Sequence, residues 1–173
     1  MAQPQAPTPV KYFIALLTGL PASERPLSVL EAEWGPIDYC SIDYPFDQTR
    51  YYEAEMGPQL QRQLLTFATL RSPEDLVAAK LRCNVLEESY SQAGKRLINL
   101  DIGYLDHNKI VLASAKGLGQ KIYLSQGIYA DLVARYKHGR YQPFEWTFPD
   151  FKEGRYDTDI ALIRQCYMSQ LKA

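Results

Sequence analysis

Hydrophobic positions open the folded part of the chain at residues 11–18. Phe13, Ala15 and Leu17 alternate with Ile14 and Leu16, so both sides of the segment are apolar. A strand of that kind is a central one with cover on both faces. Residues 23–34 place Leu27, Leu30 and Trp34 on one side of a helix that Gly35-Pro36 stops. Residues 37–44 predict a second strand and 62–70 a third. Ser72-Pro73-Glu74-Asp75 is a helix start: serine caps, proline suits the first turn, and the acids complement the helix dipole. Behind it Leu76, Ala79, Cys83, Leu86 and Tyr90 recur three and four residues apart as one buried stripe, up to a stop at Gly94. Residues 96–103 predict a fourth strand.

Strand–helix–strand twice over is the ferredoxin-like βαββαβ pattern, an α+β fold class. It sets both helices on one face of the sheet. Because the first strand reads as covered on both faces, a later part of the chain is expected to cover the other. The second half offers 109–115 as a strand or short helix, and 121–124 and 129–136 as strands. A His138-Gly139 turn leads into 140–144, and an aromatic loop over 143–149 holds Phe144, Trp146 and Phe148. A last helix over about 156–171 carries Ile160, Ile163, Tyr167 and Leu171 as its stripe. The expectation is one domain over 11–173, a ferredoxin-like core with a β-rich C-terminal extension and a final helix. A short lead over 1–10, rich in proline and glutamine, is expected to be disordered.

Composition narrows the partners more than the fold. The 173 residues are 46% hydrophobic and 23% charged, the globular range. Nineteen basic and twenty acidic residues leave a formal charge of −1, which gives no general attraction to nucleic acid or an anionic membrane. Cys40, Cys83 and Cys166 are odd in number and far apart, with no Cys-x-x-Cys, so neither a disulfide framework nor a zinc ribbon is supported. With no export signal and no membrane-length apolar run, the expected location is cytoplasmic, with no membrane partner.

Three segments carry candidate chemistry. The stretch over 45–61 has no clear element beyond a short helical turn around 51–56, and structureless connections of that length are often functional. Asp47, Thr49 and Glu55 offer oxygens for a hard divalent cation, while Tyr51 and Tyr52 can grip a ligand; the plainer reading is a turn with solvated acids. In Asn99-Leu100-Asp101-Ile102-Gly103-Tyr104, the alternation sends Asn99, Asp101 and Gly103 to the sheet face away from the helices. If that face is covered, the amide and carboxylate need partners there, either a ligand or metal, or backbone donors. These two segments meet only if the long loop folds back over the face. Third, Arg135 to Tyr141 alternates basic and aromatic residues, either an RNA contact or a charged edge hairpin, and the even charge favours the hairpin. His107 and His138 have no evident partner in sequence. No P-loop, guanine-reading motif, nucleophile elbow or His-x-x-x-His pair is present.

Phe46 to Tyr52 with Glu55-Met56-Gly57, Asn99 to Leu105, Tyr123 to Ala130 and Trp146 to Phe151 together resemble DUF4416, a bacterial family of domains of unknown function. The resemblance runs from about Lys11 to the last helix. It points to Asp47, Thr49, Tyr52, Glu55, Asn99, Asp101 and Tyr104 without giving them roles. A GTP-binding label carried by some members finds no support in this chain's motifs. The sequence thus leaves three readings: a domain binding a small phosphorylated or nucleotide-like ligand, with Asp47, Glu55 and Asp101 as metal candidates; an interaction or homodimerisation module; and an RNA-binding module.

Overall fold

The computed structural model describes residues 1–172, and nearly all strands join one antiparallel sheet. The double apolar pattern of the first segment makes β1 (Lys11–Thr18), every residue of which is buried. It pairs with β7 (Ile98–Leu105) on one side and β4 (Gln61–Phe67) on the other, and β2 (Ile37–Cys40) follows β4. Beyond β7 the sheet continues through β8 (Lys109–Ser114), β10 (Ile128–Lys137) and β11 (Arg140–Pro143). Two short strands attach at the sides: β3 (Tyr44–Pro45) on β4 and β9 (Ile122–Ser125) on β10. β5 (Ser91–Gln92) and β6 (Lys95–Arg96) form a separate hairpin. The chain is thus a mixed α/β protein, and the 109–115 ambiguity resolves to strand.

Each face of β1 has its own core. Tyr12, Ile14 and Leu16 point to α1 (Leu27–Trp34) and α3 (Leu76–Ser89), where Trp34, Ala79, Cys83 and Leu86 are buried with them. Burial pushes the Cys83 thiol up, as befits a packing residue rather than a nucleophile. On the other face, Phe13 and Ala15 meet Phe151 of α4 (Pro149–Lys152) and Ile160, Ile163 and Tyr167 of α5 (Asp157–Gln170). The cover expected for the second face is therefore the C-terminal helix pair. At the end of that face where β1 finishes, Leu17 packs with Met56 and Leu60, with Phe46 and Tyr52 against them, so the long loop and its one turn of helix, α2 (Glu53–Met56), complete the cover.

Several boundaries shift for identifiable reasons. Pro26 divides the first predicted helix into a 3-10 turn and α1. The second predicted strand is interrupted after Cys40 and resumes only as β3, while Ser41 turns its hydroxyl to the Leu64 amide. The helix expected to run to Gly94 ends at Ser89, and Ala93-Gly94, both at positive φ, instead turn the β5–β6 hairpin.

Gly103 has a steric reason to be glycine. A Cβ there would lie 2.2 Å from the Val111 carbonyl oxygen, so the close approach of β7 to β8 requires a bare backbone. Gly103→Ala should destabilise the fold by about 1–3 kcal/mol, the usual range for overpacking, read as a lowered urea midpoint.

Candidate functional site

β7 and β8 pair only over Gly103–Leu105 and Ile110–Leu112. Toward the other end β7 stays with β1 while β8 stays with β10, and the sheet opens into a slit. The exposed strand edge would leave Leu100's peptide groups without partners, a costly state in a buried region. Helix α3 supplies them: Lys80 Nζ donates to the Leu100 carbonyl at 3.0 Å, and Glu87 accepts from the Leu100 amide at 2.7 Å. Both side chains are buried, 3.7 Å apart. The slit is thus a built feature, and a cavity of about 640 Å³ runs through it.

The floor is a chain of charges on the second sheet face. Arg62 of β4, 5% exposed, donates to Asp101 at 2.8 Å and to the Ala15 carbonyl at 3.1 Å, with Asp150 of α4 at 3.7 Å from its Nε. Burial alone would raise the Asp101 carboxyl, but the charges of Arg62 and Lys80 and the hydrogen bond from Arg62 outweigh it and hold it below the usual carboxylate range. Asn99, two residues before on the same face, accepts from Arg96 at 3.1 Å through Oδ1. Its Nδ2 draws the Asp101 carboxyl down a little further without reaching hydrogen-bond geometry. Asn99 Nδ2 and Arg62 Nε are both buried with no hydrogen-bond partner among the described residues.

Two loops wall the slit. From the long loop come Phe46, Thr49, Tyr51 and Tyr52; the Phe46 ring lies 4.9 Å from the Arg62 guanidinium, and Tyr51 is 65% exposed. Burial, with the negative charge of Asp101 nearby, pushes the Tyr52 phenol up to about 12, so it is protonated at neutral pH. From the β8–β9 connection come Lys116 and Lys121. Lys121 donates to Ser114 at 2.9 Å and faces Asp131 at 3.5 Å. Lys116 meets only Tyr51, at 3.2 Å from its hydroxyl and 4.8 Å from its ring centre, so its charge is uncompensated by a carboxylate among the described residues.

Of the residues singled out in the sequence, Thr49, Tyr51, Tyr52, Asn99 and Asp101 line this one cavity. The loop and strand meet because β7 runs on to Leu105: Asn99 and Asp101 lie in its first half, at the same end of the sheet as the loop. Asp47, Glu55 and Tyr104 do not line it. Asp47 is exposed and accepts from Arg155 at 2.9 Å, and that bond holds its carboxyl low. Glu55 is held low by the Arg96 guanidinium, which grips it at 2.6 and 2.8 Å. Tyr104 faces the helix side beside Lys109. The three metal candidates, Asp47, Glu55 and Asp101, thus sit on three separate arginines, and no metal-capable group of three His, Cys, Asp or Glu occurs among the described residues. In the basic hairpin, Arg164 stacks 3.6 Å from the Tyr136 ring centre, which takes up a face that base stacking would need.

Sequence reasoning missed Arg62, Lys80, Glu87 and Lys116. Three of them left a signal: Arg62 is in phase with buried Leu64 and Thr66, and Lys80 and Glu87 stand seven residues apart beside the buried helix stripe.

An α/β domain with a charged slit through its sheet is the class these features define. The chain belongs to the family described as a domain of unknown function, DUF4416, whose model matches residues 8–167. No match was found among the curated proteins or the solved structures.

Because Asp101 ionises below its ordinary value in the folded chain, its pairing stabilises the protein in full above about pH 4. That contribution is lost as pH falls through the lowered value. Asp101→Asn should cost about 1–3 kcal/mol at pH 7, less than a fully buried pair because 30% of the carboxylate side chain is open. The gap between the unfolding curves of wild type and variant should narrow below about pH 4.

Proposed function

We propose that this domain binds a small phosphorylated or nucleotide-like molecule in the slit between β7 and β8. One observation carries the reading. Two buried donors, Asn99 Nδ2 and Arg62 Nε, have no hydrogen-bond partner among the described residues, beside a cavity of about 640 Å³. Unsatisfied buried donors each cost about 1–3 kcal/mol, and folds retain them chiefly where something else completes them. The cavity's size suits a small ligand. Tyr51 and Phe148, both more than half exposed, offer ring surface at its mouth. Lys116 supplies a cation for a phosphate. The acids that could hold a divalent cation, Asp47, Glu55 and Asp101, each hold a separate arginine instead.

We read the core as ferredoxin-like. The order β7-β1-β4-β2, with α1 and α3 on one face, supports that reading, and β8, β10 and β11 are then an extension of its sheet. The slit would lie on the seam between core and extension. Thermal unfolding of wild type against a panel of nucleotides, sugar phosphates and inorganic pyrophosphate tests the ligand reading, because a ligand of the folded state raises the midpoint by mass action. At least one phosphorylated compound should raise it, and Tyr51→Ala with Lys116→Ala should lose the shift while melting like wild type without ligand. A flat panel would refute the reading.

A second reading, self-association, is favoured by β9. All four of its residues are exposed, with Ile122 at 66% and Tyr123 at 58%, none is charged, and its outer edge pairs with no strand among the described residues. Such edges recruit other strands. If they do so here, light scattering should give a dimer that Leu124→Lys returns to monomer.

A further inference from the structure

The strongest clue to the ligand lies in two atoms of the floor. Asp101 is bound by Arg62 through Oδ2 alone, and its Oδ1 takes no hydrogen bond from the described residues. The carboxylate is the open part of the floor, 30% exposed, while Asn99 and Arg62 are both 5% exposed. Beside it, the Asn99 amide is held in one orientation, since Oδ1 accepts from Arg96 and Nδ2 is therefore the end turned away from that arginine. Nδ2 is left without an acceptor. A free acceptor and a free donor thus stand two residues apart on one face of β7, held by two different arginines.

Few chemical groups satisfy both at once. A phosphate or carbonyl oxygen accepts from Asn99 but meets the Asp101 anion with its own negative charge or lone pairs. An ammonium donates to Asp101 but has nothing to accept with. A hydroxyl does both: it gives its proton to the carboxylate and takes the amide hydrogen on its oxygen. A carboxylate reading a sugar hydroxyl is also the arrangement by which dinucleotide-binding folds hold a ribose.

We infer that Asp101 and Asn99 bind the 2-hydroxyl of a ribose in the ligand, a ribose phosphate or a ribonucleotide. This rests on the small-ligand reading given above and deepens it. The sugar sits on the floor, its phosphate lies toward Lys116, and in a nucleotide the base lies against Tyr51. The ribose hydroxyl is common to both ligand types, and matched probes separate them.

The test measures Kd by calorimetry for ribose 5-phosphate against 2-deoxyribose 5-phosphate, and for adenosine 5′-monophosphate against its 2′-deoxy form. Wild type should bind the hydroxylated member of at least one pair about tenfold or more tightly, the weight of a hydrogen bond to a charged group. The pair that discriminates tells a sugar phosphate from a nucleotide. In Asp101→Asn and Asn99→Asp the ratio within that pair should fall to about one. That ratio is internal to each variant, so partial loss of stability does not imitate the result. Asn99→Asp keeps an oxygen for Arg96 and replaces the donor with a second carboxylate oxygen, whose added charge acts on both members of a pair alike. Equal binding of both members by wild type would overturn the hydroxyl inference and leave the phosphate site standing, with water satisfying the floor. A ratio that persists in both variants would also overturn it. If no phosphorylated probe binds wild type, the small-ligand reading fails and this inference fails with it.

Discussion

Everything at the candidate site depends on how the peptide groups of one residue are satisfied. Where β8 leaves β7, the amide and carbonyl of Leu100 lose their strand partner, and Glu87 and Lys80 of α3 take its place. Without them the edge would carry unpaired backbone groups in a buried region, and the sheet would have to close. With them, it stays open. Glu87 also accepts from Arg96 at 2.9 Å, and Arg96 in turn holds Glu55 of the long loop and the Asn99 amide. One helix carboxylate therefore fixes the slit, the loop that walls it and the orientation of a floor residue.

The second constraint is Arg62. A guanidinium 5% exposed needs anions on more than one side, and here they come from different layers: Asp101 from the sheet and Asp150 from α4. Tyr156, just before α5, donates to Asp150 at 3.0 Å, so the C-terminal cover is tied to the same cation. Removing one member of such a network leaves a buried charge unpaired, so its parts are coupled rather than additive. The cover that packs the second core and the floor of the slit are thereby one construction.

The sequence carried the fold further than the site. The double apolar alternation of residues 11–18 marked a central strand with two covered faces, and the stripes through Cys83 and Ile163 marked the helices that pack there. The alternation of residues 98–103 also told which face Asn99 and Asp101 would occupy. What it did not carry was depth and pairing. Asp47, Asp101 and Glu55 look alike as loop or strand acids, yet each has its own arginine, Arg155, Arg62 and Arg96, between 39 and 108 residues away. Such partners are set by tertiary placement, to which local pattern is blind. The slit was hidden for the same reason: its cause lies in two α3 side chains that flank the apolar stripe and reach across to another element.

The claim that the slit is a binding site is tested most directly at Asn99 itself, through the side-chain amide resonances of the labelled protein. On titration with ribose 5-phosphate or adenosine 5′-monophosphate, the account predicts that the Asn99 side-chain signals move together with the backbone amides of Tyr51, Asp101 and Lys116. If those signals stay fixed while others shift, or if nothing shifts with any phosphorylated compound, the slit is a structural seam and not a ligand site.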